Sequence, residues 1–187
     1  MADHAASSIS IRRWSGIARR DELVPAIDAV FFEASATKSF AGEGDRAAFR
    51  ERWLGRYLAN YPEWAYVAFA SGGVVVGYLA GSLDDPARTP LFSDLGYFAA
   101  FAALTATYPA QLHVNLDPGW RGRGIGSRLV ETFAADAREA GAPGVHAVTS
   151  RGMCNARFYE ACGFREAGAA LWNGRELVFL ARSLALT

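Results

Sequence analysis

The sequence predicts an α/β protein, a mixed sheet with helices on both of its faces. Three observations carry that prediction. Strand-like and helix-like periodicities alternate along nearly the whole chain. No shift of composition marks an internal boundary, so residues 1–187 read as one domain. Finally, 51% of the 187 residues are apolar, enough to bury a substantial core.

The elements follow in order. ISIRRW, residues 9–14, alternates apolar and charged residues and reads as a first strand. Between Asp21 and Ser35 the apolar residues Leu23, Ile27, Val30 and Phe31 fall at helical spacing. A second helix follows the polar link from Thr37 to Gly44, with Asp45 as its expected N-cap. Its apolar stripe is Phe49, Trp53, Leu54, Tyr57 and Leu58, and Tyr61-Pro62 ends it. Ala65 to Ala70 and Val74 to Leu83 flank Ser71-Gly72-Gly73, the pattern of a hairpin. Phe92 to Tyr108 is expected as one aromatic-rich helical segment closed by Pro109. Strands at Leu112–Leu116 and Val145–Ser150 then alternate with helices at Ile125–Ala140 and Asn155–Cys162. Two last strands, Ala167–Trp172 and Leu177–Arg182, meet at the turn Asn173-Gly174.

Composition excludes several classes. Acidic and basic residues balance at 19 each, so no nucleic-acid footprint is expected. The longest apolar run, around Tyr97 to Leu104, is well short of the roughly 18 residues that span a bilayer, so no membrane is expected. MADHAASS has neither a basic n-region nor an apolar h-region, and no signal peptide is expected. Cys154 and Cys162 read as ordinary thiols of a reducing, cytoplasmic setting, on one side of a helix and in the core. Three scattered histidines offer no metal-ligand spacing.

The stretch that asks for a function is GWRGRGIGSRLVETFAADAREAG, residues 119–141. Gly122, Gly124 and Gly126 alternate with other residues directly before an amphipathic helix. Glycine turns of this kind often hold phosphate, because the first N–H groups of a helix have no intrahelical partner and the helix dipole is positive there. Arg121 and Arg123 would reinforce an anion. The dinucleotide fingerprint is absent, since the glycines run G-x-G-x-G and Leu129 occupies the sixth place from Gly124. A P-loop is also absent, because no lysine follows the glycines. Close packing of strand against helix is the other use to which such glycines are put.

Arg121-x-x-Gly124-x-Gly126 resembles the pyrophosphate-binding motif of the GNAT superfamily of acyl-CoA-dependent N-acyltransferases. VNLDPGWRGRGIGSRLV is similar to that superfamily's fourth strand, phosphate turn and third helix, and NARFYEACGF to its fourth helix. The element order agrees over nearly the whole chain. A closer likeness is that YPAQLHVNLDPGWRGRGIGSRLVE, with the aromatic segment before it, resembles bacterial relatives of the acetyltransferase-like C-terminal domain of O-GlcNAcase. The resemblance implies a mostly antiparallel sheet of about seven strands, with the fourth and fifth splayed apart. It implies acetyl-CoA as cosubstrate and direct attack by a primary amine in a ternary complex.

It also implies roles. The backbone N–H groups of Arg121, Gly122, Arg123, Gly124, Ile125, Gly126 and Ser127 would hold the pyrophosphate. The backbone of Val114 to Leu116 would pair with the pantetheine arm. Tyr159 sits where the superfamily commonly has a tyrosine that protonates the departing thiolate; a phenol is protonated at neutral pH. Packing between helix and sheet, with Phe158 as the true core residue, is the alternative for Tyr159. The asparagine usual seven residues before that tyrosine is Gly152 here, and Asn155, nearer the tyrosine, is the remaining candidate for a pantetheine contact. His113 and Asn115 share a strand face with Asp117 and are the candidate catalytic residues there. His113 has the titration range of a general base; an inert interior histidine and deprotonation through water are the other readings. Asp117 before Pro118 reads as a turn-stabilising residue, while His146 and Trp120 read as structural.

Glu33, Glu43 and Asp94 are candidates for recognising an amine. The aromatic residues Phe92, Tyr97, Phe98, Phe101 and Tyr108 read as core more readily than as pocket. The expected acceptor is a small-molecule or peptide amine, and the expected assembly a monomer or homodimer. A module of the same fold that holds coenzyme A without turnover is the alternative function.

Overall fold

The alternation of periodicities becomes seven strands and six α-helices in the computed structural model, which describes residues 8–185. MADHAAS, the part read for a leader, lies outside the described residues. The strands are β1 (Ser10–Arg13), β2 (Ala65–Phe69), β3 (Val75–Ser82), β4 (Ala110–Leu116), β5 (Gly144–Ser150), β6 (Arg165–Trp172) and β7 (Arg175–Ser183). The helices are α1 (Val24–Ala34), α2 (Glu43–Arg50), α3 (Arg56–Asn60), α4 (Ala102–Thr107), α5 (Ile125–Glu139) and α6 (Asn155–Ala161). The sheet runs β1-β2-β3-β4-β5-β7-β6. Pairing is antiparallel for β1/β2, β2/β3, β5/β7 and β6/β7, and parallel for β4/β5. That is the mixed α/β sheet expected.

Backbone proximity groups the chain into two compact units. The first runs to Ala80 and resumes from Val114 to Val130; the second takes Gly81–His113 and continues from Glu131. In the first unit, α1 buries Ile27, Val30 and Phe31, and the segment from α2 to α3 buries Leu54, Tyr57 and Leu58. These residues form a core with Tyr66, Val67, Tyr78 and Leu79 of the β2–β3 hairpin. Its turn follows the sequence signal, with Gly72 and Gly73 both at positive φ (76° and 79°), where a side chain would be strained. In the second unit, β5 and β7 carry opposite faces by strict alternation. His146 and Phe179 stack on one face, with Phe98 and Phe101 against them. Thr149 points to the other face, where it donates to Asn155 of α6.

The β4–β5 ladder is short. Its register joins Ala110 to Val145 and Gln111 to His146, although each strand has seven residues. Burial changes at the same place: Ala110 to Leu112 are buried and His113 to Leu116 only half-buried.

Three local expectations need correction. Asp45 is not the N-cap of the second helix. Gly42 precedes it in extended backbone, and its carbonyl accepts from Arg46 N–H to close the first turn, which places Asp45 inside that turn. The carboxylate there still complements the helix dipole. This helix is also not uniform, since Glu51–Gly55 forms a π turn between α2 and α3. Phe92–Tyr108 is not one helix but the 3₁₀ segments Pro90–Phe92 and Gly96–Phe101, followed by α4. Gly96 weakens an α-helix here. Phe98 and Phe101, three apart, share a face in a 3₁₀ turn and both become buried. The core reading of these aromatics holds, since Phe92, Tyr97, Phe98 and Phe101 are buried.

Candidate functional site

The glycine-rich turn is built from the end of β4 outward. Asp117 N–H donates to the Val76 carbonyl of β3, fixing where the strand stops. Its carboxylate accepts from Gly119 N–H at 2.9 Å, so Asp117 does stabilise the turn. Pro118–Trp120 makes a single 3₁₀ turn. Gly122 and Gly124 then adopt φ of 73° and 74°. The Gly124 carbonyl accepts from Arg128 N–H at 3.1 Å, which starts α5.

Two uses of glycine can now be separated. At Gly77 an added Cβ would run into the Leu116 side chain and lie 2.9 Å from the Asn115 carbonyl. At Gly81 it would come within 2.5 Å of the Gln111 carbonyl and 2.6 Å of the Phe133 ring. Those glycines exist for close packing. At Gly122 and Gly124 a Cβ would meet nothing within 4 Å. Close packing therefore does not explain the pair. Their backbone conformation requires glycine, and the space over the turn is left clear beside the N–H groups that open a fifteen-residue helix. A phosphate cradle needs those two features. Gly126 lies inside α5 and is buried with Ile125.

The flanking arginines differ in placement. Arg121 Nε turns back to donate to the Leu116 carbonyl at 3.4 Å. Arg123 lies over the Trp120 ring, with its guanidinium carbon 4.8 Å from the centroid. Both are exposed.

On β4, Asn115 donates from Nδ2 to the Tyr78 hydroxyl at 2.8 Å. Tyr78 is buried, and burial raises its hydroxyl far above the usual phenol range. The Asn115 hydrogen bond opposes that rise, Asp28 adds to it, and Arg50 opposes it. Arg50 holds Asp28 through Nε, at 2.9 and 3.0 Å to the two carboxylate oxygens. This polar group of Asp28, Arg50, Tyr78 and Asn115 was not legible beyond Asn115. Tyr78 reads as one more apolar-strand residue, and Asp28 and Arg50 as surface charges of their helices. His113 is half-buried, two residues before Asn115 on the same strand.

In the second unit, Tyr159 is the buried aromatic of α6, at 5% exposure, and Phe158 is only half-buried. This reverses the core assignment of the alternative reading. The Tyr159 ring packs against Phe164 and Phe158, with centroids 5.5 and 5.2 Å away. Asn155 Oδ1 accepts from Thr149 Oγ1 at 2.8 Å, which fixes the start of α6 to β5. Gly152 has a φ of 83°, a left-handed position that asparagine also tolerates. The cysteines do not share a core face. Cys162 is buried, while Cys154 precedes α6 and is exposed. His146 is structural as expected: its Nδ1 faces the Tyr108 carbonyl, and its ring stacks on Phe179 at 4.5 Å. The candidate amine-recognising carboxylates Glu33, Glu43 and Asp94 are all exposed.

Among the described residues no helix is long and apolar enough to cross a membrane, and no group of three or more His, Cys, Asp and Glu residues could hold a metal ion.

With this geometry in hand, the family model described as the acetyltransferase (GNAT) family matches residues 31–164. Among solved structures the chain is similar to SsHAT, with 27% identity, a TM-score of 0.73, and coverage of 96% of this chain and 100% of that one. It also shares its fold with a polyamine N-acetyltransferase of Drosophila melanogaster that forms N-acetylagmatine. There the identity is 19% and the TM-score 0.64, covering 94% of this chain and 100% of that one. The fold recurs in yncA of Salmonella typhimurium, solved with its cofactor acetyl-CoA, at 19% identity and a TM-score of 0.59, covering 97% and 96%.

Proposed function

The chain belongs to the acetyltransferase (GNAT) family, an N-acetyltransferase that takes its acetyl group from acetyl-CoA and passes it to an amine, and we propose that the turn from Arg121 to Ser127 is where the cosubstrate is anchored. The observation that carries this is the pair Gly122 and Gly124, left-handed and with nothing within 4 Å of where a side chain would stand. Acetyl-CoA supplies the activated thioester. The protein must anchor it, orient an amine beside it, and move protons off that amine and onto the leaving sulfur.

In this reading the N–H groups of residues 121–127 take the pyrophosphate, and the backbone from Val114 to Leu116 at the end of β4 pairs with the pantetheine arm. Asn155, its Oδ1 held by Thr149, keeps its amide N–H donors for that arm. Tyr159 donates the proton to the thiolate. On β4, Asn115 orients the amine and His113 or water accepts its proton. The acceptor is a small-molecule or peptide amine. Residues 1–187 work as one acetyltransferase domain, a reading supported by a family match that runs through both units. Two free thiols, one of them exposed, support a reducing and hence cytoplasmic setting.

Ligand-linked stability tests the anchoring. Acetyl-CoA at about 100 times its dissociation constant should stabilise the protein by ~2.7 kcal/mol, a shift that thermal unfolding resolves. Gly124→Asp places a carboxylate in the proposed phosphate position and should abolish the shift; no shift for the parent protein at millimolar acetyl-CoA would refute the assignment. A panel of amines assayed for release of free coenzyme A thiol then separates turnover from binding alone. Stabilisation without thiol release for any amine would favour a module that holds coenzyme A without turnover, a reading kept open by glycine at position 152.

A further inference from the structure

Resting on the reading that Asn115 orients the acceptor amine, we propose that Tyr78 is a positioning residue for the transfer. Its hydroxyl takes the N–H end of the Asn115 amide, which leaves the carbonyl end, Oδ1, for the amine.

A carboxamide has two ends of similar size and opposite hydrogen-bonding character, and only its partners decide which end goes where. Asn115 of β4 is half-buried, while Tyr78 of β3 is 1% exposed. Asn115 Nδ2 donates to the Tyr78 hydroxyl at 2.8 Å, and among the described residues its side chain makes no other hydrogen bond. One end of the amide is thus committed to the interior, and Oδ1 remains for a ligand.

A hydroxyl can donate as well as accept, and the surroundings give this one a reason to accept. Asp28 acts on Tyr78 through space, with Arg50 opposing it. Arg50 Nε holds the Asp28 carboxylate at 2.9 and 3.0 Å. A carboxylate draws the hydroxyl proton toward itself, and the oxygen lone pairs are then left for Asn115. Burial keeps the phenol protonated, so the arrangement does not switch with pH. Arg50 also closes α2 directly before the π turn Glu51–Gly55, an irregularity of a kind that recurs at functional sites.

The chemistry of attack makes the choice of end matter. An amine reacts through its lone pair, and its N–H groups are what a neighbour can hold. A carbonyl oxygen accepts one N–H and leaves the lone pair free for the thioester carbon. The amide N–H end would instead donate to that lone pair and compete with the reaction. Fixing the amide therefore supplies orientation, on which near-attack geometry depends.

The full chain is compared with Tyr78→Phe, Asn115→Ala, Asn115→Asp and the double variant Tyr78→Phe/Asn115→Asp. The probe is the amine of the thiol-release panel that the parent protein turns over fastest. Tyr78→Phe should lower kcat by about tenfold, the scale of one neutral hydrogen bond plus the competing orientation, while the stabilisation by acetyl-CoA is unchanged. Both ends of the side chain are oxygens in Asn115→Asp, so there Tyr78→Phe should cost less than about threefold. Equal fold losses in the two backgrounds would overturn the proposal and leave Tyr78 as a packing residue. A parent-like kcat in Tyr78→Phe would overturn it as well. Parent-like kcat and KM in Asn115→Ala would instead remove the role of Asn115 on which it rests.

The hydrogen bond itself is read without an amine. The two Nδ2 proton signals that vanish from the nuclear magnetic resonance spectrum of Asn115→Ala should be well separated in the parent protein and converge in Tyr78→Phe. Signals already at free-amide positions in the parent protein, or unmoved in Tyr78→Phe, would overturn the proposal whatever the kinetics. The unliganded melting temperature verifies that each variant folds, and the parent spectrum does not depend on any of them folding.

Discussion

A phenol that donates a proton to a thiolate must keep its ring in place while its hydroxyl does the work. Tyr159 meets the first condition, since its ring is buried against Phe164 and Phe158. Tyr159→Phe removes one oxygen and leaves that packing, so acetyl-CoA affinity should be nearly unchanged. If the hydroxyl is the acid, kcat should fall by ~10²–10⁴-fold with little change in the acceptor's KM. Steady-state kinetics with an amine found by the thiol-release panel, at saturating acetyl-CoA, measures this. A wild-type kcat, with chemistry rate-limiting, would leave Tyr159 as a packing residue. Its burial was not decided by the motif. Phe158 and Tyr159 are adjacent and both aromatic, and only the packing of α6 in the folded chain buries Tyr159 and leaves Phe158 half-buried.

At the scale of elements, glycines that look alike in the sequence serve opposite purposes. Gly81→Ala would push a methyl group to within 2.5 Å of the Gln111 carbonyl in a buried strand. Overpacking of this kind costs about 1–3 kcal/mol, so the unliganded melting temperature should drop while the stabilisation by acetyl-CoA persists. Gly124→Ala meets no atom within 4 Å but must hold a φ of 74°. That conformation costs roughly 1–2 kcal/mol for a residue with a Cβ, and the added methyl enters the proposed phosphate space. Here the shift with acetyl-CoA should shrink along with the unliganded stability. Comparing melting temperatures with and without ligand separates the two. If Gly81→Ala lost the acetyl-CoA shift and Gly124→Ala kept it, the division of roles would be reversed. The aromatic segment before β4 teaches a related lesson. Its residues signal burial correctly, but helical type depended on Gly96 and on a three-residue spacing of phenylalanines that α-helical periodicity does not reward.

For the molecule as a whole, the stability curve against pH should carry the mark of one buried side chain. His146 is pushed down to about 4, first by burial, with the Tyr108 carbonyl opposing, His113 adding to the depression, and Asp85 opposing it. The neutral ring donates from Nδ1 to that carbonyl, and Nε2 has no hydrogen-bond partner among the described residues. A proton on Nε2 would thus be a buried charge among aromatic rings. The unfolded chain takes up this proton near its ordinary value of 6.5 and the folded chain only near 4. Between those values the unfolded state binds more protons, so stability falls as pH falls from about 6.5 to about 4. The full loss from this group is about 3 kcal/mol. Urea unfolding at pH 7 and pH 4.5 should show the decline, and His146→Phe should flatten it relative to the parent protein. An equal decline in both proteins would assign the acid sensitivity to other groups.

The sequence by itself determined the α/β class, the succession of strands and helices along the chain, the two hairpin turns and the glycine-rich turn before α5. Each of these is a property of residues adjacent or nearly adjacent in the chain: alternation in a strand, 3.6-residue spacing in a helix, glycines where φ must be positive. Only the tertiary structure decided that Asn115 donates to Tyr78 across 37 residues, that Arg50 grips Asp28 across 22, and that Arg123 rests on Trp120 while Arg121 turns back to β4. The two arginines are chemically identical and two residues apart, so no local pattern can rank them. Their difference arises from what the fold brings beside each one, a strand carbonyl in one case and an indole face in the other. The same reason separates Cys154 from Cys162 and Gly81 from Gly124: burial and clearance are set by the partner surface, and that surface is assembled from distant parts of the chain.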